Sequence, residues 1–176
     1  MSYNKYKLSE FRAKVKKSAL KVIYNHNWVT DGRVMFRNRW VDKPITGDKQ
    51  AAAYFGPKVA ILPLKDKSFM QVLPQNSSSK ALMFKPTGMI RPGGNSDIAD
   101  YNLDLVEFRN EQHNIKLYLM RRDLAFLQFN MHDVVYSTYS PEDAAVRPVC
   151  NCMNPRMNNS TAASDDLMFF LMPVRR

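Results

Sequence analysis

Residues with catalytic or ligating chemistry are few. The chain holds two cysteines and three histidines in 176 residues. Cys150 and Cys152 are one residue apart, a poor spacing for a structural disulfide, but they could join two of His26, His113 and His132 around zinc. No second pair has ligand spacing, so the expectation is two free cysteines in a loop, no metal and no cofactor. His132-Asp133 and Glu111–His113 are the His–acid neighbours, and adjacency alone does not orient a general base. Asp97, Asp100, Asp104 and Glu107 could serve a metal-dependent nuclease. Asp104 and Glu107 have opposite strand parity, however, so a solvated loop and strand edge is the simpler reading. Taken together, these residues argue against an enzyme.

Cationic chemistry is better represented. The formal net charge is +10. Residues 1–43 hold eleven Lys or Arg against three acids, whereas residues 44–176 hold fifteen against thirteen. A basic N-terminal quarter on a nearly neutral body points to a polyanion: nucleic acid first, an anionic membrane surface second. Phe11, Val15, Ala19 and Val22 recur at helical spacing, flanked by Leu8 and Ile23, with Ser9 as N-cap. This pattern predicts a basic amphipathic helix of about four turns ending near Asn25. Lys5 and Lys7 precede it, and Arg12, Lys14, Lys16, Lys17 and Lys21 fill its other faces. Such a helix can pack one stripe on the body with its lysines solvated, or serve as a nucleic-acid-binding arm. A membrane-surface helix fits less well, because the stripe is narrow and lacks Trp.

Beyond the turn signal Asp31-Gly32, residues 33–41 read as a strand. Alternation puts Val34, Phe36 and Trp40 on one face and Arg33, Arg37 and Arg39 on the other. Arginine forks suit phosphates, and their planes stack on bases. A charged outer edge strand that discourages aggregation carries the same pattern.

The elements that must position these cations are mainly short strands. Residues 101–140 fall into four apolar, β-forming pieces cut by polar breaks at 110–114, 121–123 and 130–133, the pattern of an antiparallel meander. Ile115, Leu117 and Leu119 alternate cleanly with Lys116, Tyr118 and Met120. The piece before them has imperfect parity, which implies a bulge or a strand covered on both faces. A single helix over 115–129 is the alternative. Further strands are expected at 58–64, 69–73 and 81–85, the last closed by Pro86. Residues 43–56 read as a loop with one helical turn, 87–100 and 149–164 as irregular connections, and 140–143 as the start of a brief helix. The run Leu167–Met172 lacks polar alternation and should be a strand buried on both faces.

Hydrophobic residues at 45% and charged residues at 24% suit a globular chain. The organisation expected is a basic arm and helix over 1–28, then one β-rich domain over 29–176, an antiparallel sandwich or barrel of about eight to ten strands. Nothing reads as a secretory leader or a membrane span, so the sequons at Asn76, Asn158 and Asn159 carry little weight and an intracellular place, cytoplasmic or nuclear, is expected.

Three functions compete. The first is a small coat or structural subunit, oligomeric and found in a virion, whose arm neutralises packaged nucleic acid without sequence preference. The second is a soluble single-strand DNA or RNA binder, with Tyr3, Tyr6, Tyr24 or Trp28 stacking on bases. The third is an inhibitor or adaptor whose helix docks Phe11, Val15 and Val22 into an acidic groove of a protein partner.

Overall fold

The computed structural model describes residues 6–65, 81–92, 104–137, 139–152 and 167–174. The chain is mainly β and divides into two compact units, Met1–Phe69 and Met70–Arg176. Expected features at 1–5, 66–80, 93–103 and 153–166 lie outside the described residues.

In the N-terminal unit, helix α1 spans Leu8–Lys14 and runs into a π-helical turn, Val15–Ala19. The four-turn helix therefore stops early. Leu20 adopts the left-handed conformation at φ 52° and closes the π turn through its N–H to the Val15 carbonyl at 2.9 Å. Beyond it, Lys21-Val22-Ile23-Tyr24 is rich in β-branched and aromatic residues and forms strand β1, Lys21–Tyr24. Val22 thus reaches the core from a strand, although its spacing fits the stripe of Phe11 and Val15. Ser9 is not the cap: the cap position is Lys7, and the Leu8 N–H donates to Asp42 Oδ1 at 3.0 Å.

Strands β2 (Trp28–Thr30) and β3 (Val34–Arg37) form a hairpin around Gly32, whose φ of +97° suits glycine. Asp31 Oδ1 accepts from the Arg33 and Val34 amides and fixes that turn. The expected strand over 33–41 ends at Arg37, and Asn38–Trp40 is a 3-10 helix. Buried Asn38 explains the break. Its side chain donates to the Asn25 and Ile45 carbonyls and accepts from the Ile45 amide, so it binds other loops and not a ladder neighbour. Helix α2, Asp48–Phe55, replaces the single helical turn expected at 43–56. It leads to β4, Ala60–Pro63, which pairs parallel with β1. The strand order is β4-β1-β2-β3. Tyr6, Phe11, Phe36 and Phe55 build the core through edge-to-face contacts at 5.0–6.0 Å.

In the C-terminal unit every described pairing is antiparallel, in the order β10-β9-β8-β5-β6-β7. Strand β5 is ten residues long, Leu82–Arg91, and does not stop at Pro86. The ladder slips between Pro86 and Ile90, with Gly88 at φ +86°, so the proline sits at an irregularity and the strand continues past it. Strand β6, Leu105–Asn110, is covered on both faces at Leu105–Phe108. Strand β7, Ile115–Met120, buries Leu117 and Leu119, as alternation implies.

The strand expected at 124–129 is instead helix α3, Arg121–Phe126, so the polar break at 121–123 is the helix start. Leu124-Ala125-Phe126-Leu127 begins with two strong helix formers, and the Arg121 N–H anchors the first turn on the Asp104 carbonyl at 2.9 Å. Strand β8 is Val135–Ser137, and residues 140–146 form turns instead of a helix. Strand β9, Val149–Cys152, occupies the start of a stretch expected to be irregular. Strand β10, Leu167–Leu171, has Phe169, Phe170 and Leu171 buried, which meets the two-face expectation. Among the described residues neither unit closes its strands into a barrel.

Candidate nucleic-acid interface

The cations of the N-terminal unit are presented by a short helix, a π turn and two hairpins. Capping by Asp42 sets the direction of α1, and burial of Leu8, Phe11 and Val15 sets its rotation. That rotation leaves Lys7, Lys16, Lys17 and Lys21 exposed and Arg12 and Lys14 half-buried. The Arg12 guanidinium lies 5.1 Å from the centre of the Tyr54 ring. Lys21 reaches over the β2–β3 turn: a Cβ on Gly32 would stand 3.2 Å from its Cε and 3.4 Å from its Nζ. Lys5 lies outside the described residues.

Arg33, Arg37 and Arg39 do not share a solvent face. Arg33 is half-buried in the turn, Arg37 ends β3, and Arg39 lies in the 3-10 helix. Arg37 is 3% exposed, with its guanidinium 4.0 Å from the centre of the Trp28 ring. Its cation is used inside the fold. Arg39 is exposed and lies 5.5 Å from the centre of the Trp40 ring.

The aromatic residues suggested for base stacking are also largely internal. Tyr6 and Trp28 are fully buried, and burial pushes the Tyr6 phenol far above its ordinary range. Tyr24 is half-buried and donates its hydroxyl to Asp48 Oδ1 at 2.5 Å. Burial, then the hydrogen bond and charge of Asp48, push its phenol up to about 12. Tyr3 lies outside the described residues. Phe11, Val15 and Val22 are fully buried in the chain's own core, so they are not available to an acidic groove or a membrane.

The unit boundary sharpens the charge distribution. Residues 1–69 hold fifteen Lys or Arg against five acids, and residues 70–176 hold eleven against eleven. The whole +10 belongs to the N-terminal unit. Three of its five acids are engaged by neutral donors: Asp31 and Asp42 by backbone amides, Asp48 by Tyr24.

Among the described residues, those with catalytic types are scattered. His26, His113 and His132 are exposed, and Cys150 is buried. Among the described residues no three His, Cys, Asp or Glu side chains converge as metal ligands. Asp104 lies 3.7 Å from Arg121. Glu107 is 5% exposed, not solvated as expected, because Thr87, Tyr118 and Arg91 surround its carboxylate. No described helix is long and apolar enough to cross a membrane. Three cations that the sequence reading assigns to no site, Lys85, Arg109 and Lys116, are exposed on the C-terminal sheet. Outward parity of Lys116 was a legible signal; the register that aligns all three was not. Comparison with protein-family models, curated proteins and solved structures finds no match to this chain.

Proposed function

We propose that this is a non-enzymatic, nucleic-acid-associated protein, most concretely a small coat or structural subunit whose basic N-terminal unit neutralises packaged nucleic acid. What carries the reading is the confinement of the entire +10 to residues 1–69. Concentrated cations release counterions from a polyanion, which favours binding without sequence preference. Lys7, Arg12, Lys14, Lys16, Lys17 and Lys21 contact phosphates, with Lys5 ahead of them and Arg33 and Arg39 at the turn and the 3-10 helix. Arg37 supports Trp28. The C-terminal unit supplies self-association, and in the assembly its sheet forms one layer of a β-sandwich. The place of action is intracellular, or a virion.

Light scattering on a sizing column, with absorbance read at nucleic-acid and protein wavelengths, tests this. A large particle rich in nucleic acid is expected. A small, nucleic-acid-free species that still binds single strands in a salt-sensitive way would replace the coat by a soluble strand-binding protein. Binding that is absent or independent of salt overturns both.

A further inference from the structure

The register of the C-terminal sheet lines up three like charges. Lys85 stands opposite Arg109, and Arg109 stands opposite Lys116. Being in one row of adjacent strands, the three point to the same face, and all are exposed. Among the described residues none of them makes an ion pair; Arg109 Nη2 donates to Asn114 Oδ1 at 2.9 Å. Like charges directly opposite one another destabilise a sheet. This one holds three, at a strand spacing of about 4.8 Å, while Phe84, Phe108 and Leu117 bury the opposite face.

The neighbouring row leaves that charge uncompensated. Glu107 pairs in register with Tyr118, whose hydroxyl donates to Glu107 Oε2 at 3.2 Å. Thr87 Oγ1 donates to Oε1 at 3.1 Å, and Arg91 lies 3.8 Å from Oε2 and 5.0 Å from the centre of the Tyr118 ring. The carboxylate is therefore engaged and buried, and the half-buried Tyr118 ring lies one row from the cations. Beside the row opens a cleft of about 310 Å³ whose lining includes Lys85, Arg109, Leu82, Met83, Asn110 and Glu111.

We propose that this face binds the phosphate backbone of a single-stranded nucleic acid, as a second surface distinct from the cations of Met1–Phe69. The proposal rests on the proposed function only in its choice of polyanion. Three cationic heads over roughly 10 Å match consecutive phosphates of one strand. An aromatic ring and a mixed polar and apolar cleft beside them are the other half of a strand-binding surface. The repulsion within the row is relieved when the strand is bound, so the sheet is more stable in the complex.

The test uses the full chain and its K85Q/R109Q/K116Q variant, with fluorescence anisotropy of labelled oligothymidylate at several salt concentrations. Affinity should fall about tenfold or more, and the slope of log affinity on log salt should shallow by roughly 0.7 per lost contact. The variant should melt at or above the parent's temperature, because the repulsion is gone. Unchanged affinity and slope overturn the proposal. Loss of polyglutamate capture in the triple variant with oligothymidylate binding unchanged also overturns it, by assigning the row to an acidic protein. Binding abolished by K14S/K16S/K17S/K21S but untouched by the triple variant overturns this proposal alone. A parent chain that binds no strand overturns it together with the proposed function.

Discussion

The two units spend their cations differently. The N-terminal unit carries ten net positive charges, and Lys14, Lys16, Lys17 and Lys21 lie on a helix, a π turn and a hairpin strand that fix no common register. The C-terminal unit is neutral, yet three of its cations are held in one row by sheet register. The first arrangement suits diffuse attraction of a polyanion, the second a contact of defined geometry. Net charge and charge order are separate properties, and a composition count sees only the first. Dividing the chain at residue 43 leaves two net charges on the remainder; the structural boundary leaves none there, because Lys49, Lys58, Lys65 and Lys67 belong to the charged unit.

The largest effect expected concerns how each unit closes its core. Phe11 is fully buried between Phe36 and Phe55, whereas Phe129 bridges Phe108 and Phe169 while half-exposed. Phe11→Ala should cost about 3–5 kcal/mol in urea denaturation, and Phe129→Ala clearly less. Equal losses would break the contrast, by showing that α1 is held to its unit no more firmly than a core edge.

Next in size is the arm. Replacing Lys14, Lys16, Lys17 and Lys21 with Ser should weaken binding to every sequence alike, shallowing the salt slope by roughly 0.7 per contact removed on a single strand. Stability should change little, since three of the four are exposed. A loss confined to particular sequences would mean that the N-terminal unit reads bases, and the contrast between diffuse and ordered cations would fail.

A smaller effect tests what aims the arm. Asp42 Oδ1 accepts from the amides of Leu8, at 3.0 Å, and Lys43, at 2.8 Å. Asp42→Ala should cost about 1 kcal/mol in thermal or urea denaturation, the usual loss for an N-terminal cap. Asp42→Asn should recover most of it, because the amide oxygen still accepts. If Asn fails to rescue, the carboxylate charge near the helix start outweighs the hydrogen bond.

These residues also show where reading the chain alone succeeds. Alternation placed β7 with its buried Leu117 and Leu119, and the unbroken apolar run placed β10, because both patterns are local and periodic. The helix end at Leu20 was hidden because Val22 faces the core in either conformation. The cap was hidden because Asp42 lies thirty-four residues from Leu8. Helix α3 was hidden because apolar residues without alternation suit a buried strand and a short helix equally. The row of Lys85, Arg109 and Lys116 depends on pairing between strands, which no single segment encodes. The arginine stripe failed for a related reason: one buried asparagine, Asn38, ends β3 by satisfying partners far from its own ladder.

The smallest effect separates the units by pH. Tyr24 belongs to the N-terminal unit, where burial and then Asp48 raise its phenol from 10.0 to about 12. In the C-terminal unit burial also raises Tyr139, but the charge of Arg147 opposes the shift. A raised phenol keeps its proton in the folded state after the unfolded chain has lost it, so stability declines as pH rises from about 10 to about 12. Tyr24→Phe should flatten the decline, seen as a smaller fall in melting temperature across that window. Tyr139→Phe should flatten it less, since its cation already favours the phenolate. Salt sharpens the distinction. Screening should weaken the Asp48 contribution and leave desolvation in place, so the two variants should converge as ionic strength rises. If they differ equally at high and low salt, the Tyr24 shift owes nothing to the charge of Asp48, and the hydroxyl tying β1 to α2 acts only as a neutral hydrogen bond.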